Sequence, residues 1–288
     1  MTFAQTLSVM TQRLSSAGIP DAAFDAKQLL CARSGFDATA FLLHRGDDMP
    51  PALAAEAERC VTRRINGEPL QYILGEWTFL DTSFAVGPGV LIPRPETEAL
   101  VLQCADLLRG RNAPVICDLC AGSGCIGLSL KKLVPDAAVY LVEYADPALH
   151  YLQINAQRLG FREKVQILQG DVLLGAPAFP NLPQADLIVS NPPYIRACEI
   201  ASLQREVQRE PREALDGGED GLDFYRCFAQ SWTNQLKENG WFAFECGEGQ
   251  SREIAALFEQ KAFSVTAYND FNGFDRYVFA AHGRKDQL

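Results

Sequence analysis

The sequence predicts an α/β fold in which helices cover both faces of a parallel β-sheet, preceded by a small helical domain. From Pro114 onward, short apolar segments alternate with helical stretches, which is the pattern of a parallel sheet with crossover helices. The N-terminal part instead carries apolar side chains at three- and four-residue steps, the period of one helical face. The chain has 288 residues, enough for two domains.

The N-terminal domain is predicted to span residues 1–71 and to contain three helices. One face of the first helix is formed by Phe3, Leu7, Met10 and Leu14. A second helix is expected over residues 22–33, with Asp21 as its N-cap, and a third over residues 50–65. This segment has no glycine-rich loop and no cluster of polar residues. We therefore expect it to recognise a substrate, or to act only as a stabilising cap, instead of carrying the chemistry.

Residues 72–92 predict a β-hairpin that joins the two domains, with Asp81-Thr82-Ser83 between apolar residues. The second domain is predicted to span residues 93–288. Its parallel strands are predicted at 115–118, 139–143, 165–169, 186–190 and 241–245. Its helices are predicted at 124–133, 147–159, 222–236 and 250–258. Two final strands at 264–268 and 276–281, with a turn at Asn272-Gly273, predict an antiparallel hairpin that closes the sheet.

The charge and composition disfavour nucleic-acid binding and exclude a membrane-spanning helix. The net charge is −10, and such a surface lacks the attraction to phosphates that drives nucleic-acid binding. No apolar segment is long enough for a membrane-spanning helix. The start has no secretory signal pattern, and nine scattered cysteines suit a reducing compartment, so we expect a cytoplasmic protein. Cys117 and Cys120 lie in a predicted strand and loop, so no metal site is expected.

A glycine-rich loop follows the first strand of the predicted sheet, where backbone can approach a ligand closely. Gly122-Ser123-Gly124 and Gly127 match the spacing of a dinucleotide-binding loop. Asp118 lies at the end of that strand, where its carboxylate could meet a cationic ligand or orient the loop. Glu143 ends the second strand, where an acidic side chain can accept both hydroxyls of a ribose. These features fit NAD and S-adenosyl-L-methionine equally.

The tetrapeptide Asn191-Pro192-Pro193-Tyr194 directly follows the fourth strand. Ligands of open α/β sheets bind at the carboxyl ends of strands. The side-chain oxygen of Asn191 and the carbonyl of Pro192 could each accept one N–H of an amide or aromatic amine, and so aim its lone pair at a methyl donor. Tyr194 offers a flat wall for a planar target group. We therefore predict Asn191, Pro192 and Tyr194 as catalytic, and the whole tetrapeptide as substrate-binding.

The chain resembles the HemK/PrmC family of protein-(glutamine-N5) methyltransferases over most of its length. Besides the tetrapeptide, the resemblance rests on residues 69–75 with Phe79, 91–98, 210–211, 214–215 and 218–222, and on Glu245, Gly247 and Gln250. It implies a Rossmann-like methyltransferase domain that uses S-adenosyl-L-methionine, releases S-adenosyl-L-homocysteine and methylates the glutamine of the Gly-Gly-Gln loop in class-1 peptide chain release factors. The enzyme is expected to act as a monomer, without nucleic acid or membrane.

The resemblance also implies roles for individual residues. The cofactor would be bound by Asp118, Cys120, Ala121, Gly122, Ser123, Gly124, Glu143, Asp171, Val172 and Asn191. Of these, residues 120–124 would surround the methionine part, Glu143 would hold the ribose, and residues 171 and 172 would border the adenine. This chain has Cys120-Ala121 where the family usually has Gly-Thr, and Glu143 where it usually has Asp.

Three other functions stay open at this stage. A related enzyme methylates a glutamine of a large-subunit ribosomal protein, although residues 94–98 look more like the release-factor branch. An adenine-N6 nucleic-acid methyltransferase faces the same lone-pair problem, but the acidic charge disfavours it. A protein that binds a dinucleotide or S-adenosyl-L-methionine without catalysis is the third alternative.

Overall fold

The computed structural model describes residues 1–282 and contains two compact units. The first unit comprises Met1–Glu76 together with Gln204–Arg209. The second comprises Trp77–Leu203 and the described residues from Glu210 onward. Within the described part of the chain, no helix combines the length and the apolar character needed to cross a membrane.

The first unit is helical. Its helices are α1 (Phe3–Ser16), α2 (Ala22–Ser34), α3 (Ala38–His44), α4 (Pro51–Ile65) and α5 (Leu70–Leu74). The three helices predicted from periodicity are confirmed as α1, α2 and α4, and they bury Leu14, Leu29 and Val61 completely. The short helices α3 and α5 were not predicted. Asp21 occupies the predicted N-cap position of α2, although its side chain makes no capping hydrogen bond.

A buried ion triad stabilises the helical unit. The Arg64 guanidinium donates from Nε to Asp25 Oδ2 at 2.6 Å and from Nη1 to Glu206 Oε1 at 2.8 Å. Arg64 and Asp25 are both more than nine-tenths buried. Glu206 belongs to the segment Gln204–Arg209, so this charge pairing fixes a distant part of the chain onto the helices.

A hairpin and a helix precede the main sheet. Strands β1 (Glu76–Phe79) and β2 (Thr82–Ala85) form the predicted hairpin as a two-stranded sheet. Helix α6 (Pro95–Leu107) follows and buries Thr97, Leu100, Val101 and Cys104. Helix α6 was not predicted from the sequence, although these residues have helical spacing.

The main sheet has seven strands in the order β5-β4-β3-β6-β7-β9-β8. The strands are β3 (Val115–Leu119), β4 (Ala138–Glu143), β5 (Val165–Gln169), β6 (Ala185–Ser190), β7 (Leu236–Glu245), β8 (Phe263–Asn269) and β9 (Asp275–His282). Strands β3 to β7 are parallel, whereas β9 runs antiparallel to both β7 and β8. The predicted α/β class and the closing antiparallel hairpin are therefore confirmed.

Two hydrophobic cores cover the faces of this sheet. The remaining helices are α7 (Cys125–Leu133), α8 (Asp146–Arg158), α9 (Asp223–Ser231) and α10 (Ser251–Glu259). One core joins α6, α7 and α8 to the sheet through aliphatic side chains such as Leu128 and Leu141. The other is aromatic, with Phe228 stacked on Phe244 at a ring distance of 5.4 Å. Helix coverage on both faces leaves the carboxyl edge of the parallel strands as the place for a site.

Candidate functional site

The chain reverses its direction of winding between β3 and β6, the two adjacent strands at the centre of the sheet. Strand β3 connects outward to β4 and β5 on one side, while β6 connects to β7 on the other. The carboxyl ends of β3 and β6 lie side by side, with Leu119 opposite Ser190 in the register. Loops that leave such a switch point diverge and open a crevice for a ligand. The glycine-rich loop and the Asn191 tetrapeptide leave from this point.

The glycine-rich loop requires left-handed backbone at three positions. Gly122 and Gly124 have φ of +57° and +82°, which glycine adopts without strain. Cys120 has φ of +60°, where a Cβ atom crowds the backbone. Glycine would therefore be the unstrained residue at position 120. A Cβ at position 124 would lie 2.4 Å from Leu152 Cδ1, so Gly124 also permits close packing of the loop on α8.

Asp118 orients the loop from beneath and does not line the cavity. Its side chain is completely buried, and its Oδ2 accepts the backbone N–H of Gly127 at 2.8 Å. The other oxygen, Oδ1, has no hydrogen-bond partner within residues 1–282. Burial raises the pKa of Asp118 to about 8. Of the two roles considered from the sequence, the geometry favours orienting the loop.

Glu143 ends β4 and faces the cavity, with its carboxylate held by three backbone amides. Its Oε2 accepts from Gly122 at 2.7 Å, and its Oε1 accepts from Tyr144 and Ala145 at 2.8 Å each. Burial raises the pKa of Glu143, and the three hydrogen bonds oppose that shift. A carboxylate has about four acceptor positions, so about one stays available for a ligand.

The crevice contains a cavity of about 420 Å³, a volume typical of small-molecule sites. Among the predicted residues, its walls contain Cys120, Ala121, Gly122, Ser123, Glu143, Asp171, Val172, Asn191 and Pro193. Within the described chain, the walls do not include Asp118, Gly124, Pro192 or Tyr194. Tyr194 instead packs against the aromatic core, and its backbone carbonyl accepts from Gln250 Nε2 at 2.9 Å.

The cavity walls carry an excess of negative charge. The acidic residues are Glu143, Asp171, Glu213, Asp216 and Asp223, whereas Arg94 is the single basic residue among the described wall residues. Arg94 is itself paired with Glu210 Oε1 at 2.5 Å, and two of the acidic residues, Asp216 and Asp223, are paired with Arg212 and Arg226. In addition, the Gly127 N–H in the first turn of α7 is already bound by Asp118. A dinucleotide pyrophosphate would meet repulsion here. The residues fit a cationic ligand such as S-adenosyl-L-methionine better than NAD.

Asn191 connects the cavity to a hydrogen-bonded chain inside the second unit. Its Nδ2 donates to Thr97 Oγ1 at 3.2 Å, and the Thr97 hydroxyl donates to Glu245 Oε2 at 2.6 Å. Thr97 and Glu245 are each 1% exposed. Burial raises the pKa of Glu245 to about 7, although the hydrogen bond from Thr97 opposes that shift.

Sequence reasoning missed several residues of the cavity wall. They are Gly89, Leu91, Pro93, Arg94, Thr97, Cys125, Ile126, Tyr144, Leu173, Pro211, Glu213, Asp216 and Phe224, with smaller residues between them. Thr97 could have been predicted as a site residue, because it lies in the family-like segment 91–98 and has helical spacing to Leu100 and Val101. No group of three or more metal-binding side chains is placed to hold an ion within residues 1–282.

Comparison with known proteins agrees with this architecture. The family described as PrmC N-terminal domain matches residues 5–75, and the methyltransferase small domain family matches residues 97–219. The solved hMettl16 catalytic domain, in complex with an RNA hairpin, aligns with a TM-score of 0.57 at 12% identity, over 83% of this chain and 84% of that one, which shows the fold alone.

Two curated relatives match over almost their whole length. The release factor glutamine methyltransferase of Geobacter sulfurreducens is 39% identical over 92% of this chain and 91% of its own. The protein of the same name from Moorella thermoacetica is 35% identical over 99% of this chain and 100% of its own. At this identity and coverage, the chain belongs to the release factor glutamine methyltransferase family.

Proposed function

We propose that this chain transfers a methyl group from S-adenosyl-L-methionine to the side-chain amide nitrogen (N5) of the glutamine in the Gly-Gly-Gln loop of class-1 peptide chain release factors. The observation that carries the proposal is the placement of Asn191. Its side chain lines the cavity beside the glycine-rich loop, and its Nδ2 is already bound to Thr97. This leaves Oδ1 as an acceptor for an incoming N–H.

The cofactor would lie along the glycine-rich loop and the end of β4. Residues 120–124 would surround its methionine part, Glu143 would accept a ribose hydroxyl, and Asp171 with Val172 would border the adenine. When bound, the cofactor supplies a methyl group activated by a positively charged sulfur. The acidic wall supports this assignment because it stabilises that positive charge.

The residues of this chain would act by orienting the target amide. The nitrogen of a carboxamide is a weak nucleophile because its lone pair is delocalised into the carbonyl. In the proposal, Asn191 Oδ1 accepts one of its N–H groups. The carbonyl of Pro192, the next residue along the chain although not itself part of the cavity wall, accepts the other. Fixing both N–H groups sets the direction of the lone pair, which lowers the entropic part of the barrier. No strong base is required, because the proton can leave after transfer.

Purified protein and methyl-labelled S-adenosyl-L-methionine test the proposal. We expect label to enter a class-1 release factor and to be absent from the same factor with Gln→Ala in its Gly-Gly-Gln loop. Equal labelling of the two factors would contradict the proposal. A large-subunit ribosomal protein and adenine-containing DNA and RNA, assayed in parallel, test the alternatives. Preferential labelling of any of these would move the target to that class.

The roles of the two domains, the oligomeric state and the cellular location are also predictions. Residues 1–71 are proposed to recognise the protein substrate, while residues 93–288 carry the reaction. Size measurement in solution tests the expected monomer. Fractionation of cells tests the expected cytoplasmic location.

A further inference from the structure

We propose that Thr97 and Glu245 are positioning residues that hold the Asn191 carboxamide with its oxygen toward the cavity. This inference rests on the proposed function, because it assigns the side chains that orient the acceptor used for the target amide. Neither Thr97 nor Glu245 needs to touch the substrate for this role. The two act through hydrogen bonds to Asn191.

The direction of the hydrogen bonds carries the argument. A threonine hydroxyl has one proton and can otherwise only accept. Thr97 donates that proton to Glu245 Oε2 at 2.6 Å, so it can only accept a hydrogen bond from Asn191. The group of Asn191 that faces Thr97 must therefore be the donor Nδ2, as found at 3.2 Å. When Glu245 is ionised, Asn191 therefore directs Nδ2 toward Thr97 and Oδ1 toward the cavity.

The surrounding structure fixes the two residues in place. Thr97 lies in the first turn of α6, and the neighbouring carbonyl of Glu96 accepts the hydroxyl of Tyr277 on β9 at 2.7 Å. Glu245 ends β7, and its backbone carbonyl accepts the hydroxyl of Tyr225 on α9 at 2.7 Å. Both residues are almost completely buried, so water cannot easily replace either bond. Among residues 1–282, no protein group pairs with Asn191 Oδ1.

Protonation of Glu245 would reverse this arrangement. A protonated carboxyl can donate to Thr97 Oγ1, which frees the Thr97 hydroxyl to donate toward Asn191. The oxygen of Asn191 would then be drawn to Thr97, and its NH2 would face the cavity, where it cannot accept an N–H. Burial raises the pKa of Glu245 to about 7, so this change falls near neutral pH.

Charged neighbours on several elements influence this titration. Arg276 on β9 and Arg94 beside α6 favour the ionised form of Glu245, whereas Glu96 opposes it. The other titratable groups that interact with Glu245 are Cys125, Tyr194, Tyr225, Cys246 and Tyr277. Burial raises the pKa of each of these five groups, so they stay neutral while Glu245 titrates.

Steady-state kinetics of the full chain with a release factor substrate test the inference. Thr97→Val keeps the side-chain shape but removes the hydroxyl, and we expect kcat to fall about tenfold to hundredfold. Thr97→Ser restores the hydroxyl and should retain most of kcat. Binding of S-adenosyl-L-homocysteine, measured by calorimetry, and the midpoint of urea unfolding should stay close to wild type in Thr97→Ser. Wild-type kcat in Thr97→Val would overturn the inference.

The pH dependence separates positioning from a merely structural role. For the wild type, kcat should fall as the pH decreases through about 7, the pKa of Glu245. In Glu245→Gln this acidic decline should disappear, because the amide does not titrate and its oxygen can still accept the Thr97 hydroxyl at every pH. An unchanged acidic decline in Glu245→Gln would refute the role of Glu245. If the wild type does not methylate the release factor at all, the proposed function itself is refuted, which is a distinct outcome.

Discussion

The raised pKa of the buried Asp118 carboxyl predicts how the free energy of unfolding depends on pH. The pKa of Asp118 is raised from its ordinary value of 3.8 to about 8, chiefly by burial. Between these values the folded chain keeps a proton that the unfolded chain has lost. The free energy of unfolding therefore decreases as the pH rises, by about 1.4 kcal/mol per pH unit for this one proton. The stabilising contribution is complete below pH 3.8 and is lost once the pH passes about 8.

The substitution Asp118→Asn removes the titration and keeps an acceptor for the Gly127 N–H. Buried acids that do not interact with Asp118, such as Glu245, titrate equally in both proteins, so the difference between the two pH profiles reports Asp118 and its coupling to Glu143. Urea unfolding from about pH 5 to about pH 8 should give a profile that is less steep for Asp118→Asn by about 1.4 kcal/mol per pH unit. The exposed Asp106→Asn variant serves as the control and should follow the wild type. Parallel profiles for the wild type and Asp118→Asn would refute the reasoning.

Three further predictions follow from the described contacts. Cys120→Gly should raise the free energy of unfolding by up to about 1 kcal/mol. The reason is that the strain relieved at a left-handed position exceeds the conformational entropy that glycine adds to the unfolded chain. A lower melting temperature would contradict this prediction. Asn191→Ala should reduce kcat about 100-fold, whereas cofactor affinity measured by calorimetry should change much less, because most of the proposed cofactor contacts come from other residues. An unchanged rate would exclude Asn191 from the reaction. Arg64→Ala leaves Asp25 buried and unpaired, so the free energy of unfolding, measured by urea titration, should fall by about 3–5 kcal/mol. A loss below about 1 kcal/mol would show that the triad is not stabilising.

The sequence predicted the elements whose pattern is local. Parallel strands buried on both faces appear as continuous apolar segments, which is why β3, β4 and β6 were located to within about two residues. Helix α6 was missed because Pro93 and Pro95 interrupt the segment and its glutamates hide the apolar spacing. The proline at the first helical position in fact favours a helix start.

The location of the candidate site could be predicted from the sequence, but the contacts of its side chains could not. The loop after β3 and the tetrapeptide after β6 were found because ligands bind at the carboxyl ends of parallel strands. No local pattern reveals that Asp118 faces the core, or that Tyr194 packs on the aromatic cluster. The contact of Asn191 with Thr97 joins residues 94 positions apart in the chain, so only the folded structure brings them together.

A crystal structure with S-adenosyl-L-homocysteine and a glutamine-containing loop peptide tests the central claim most directly. The account predicts that the target amide nitrogen lies about 2.7–3.2 Å from both Asn191 Oδ1 and the carbonyl oxygen of Pro192. A bound glutamine whose nitrogen contacts neither oxygen, or an Asn191 that presents its NH2 group to the ligand, would contradict the account.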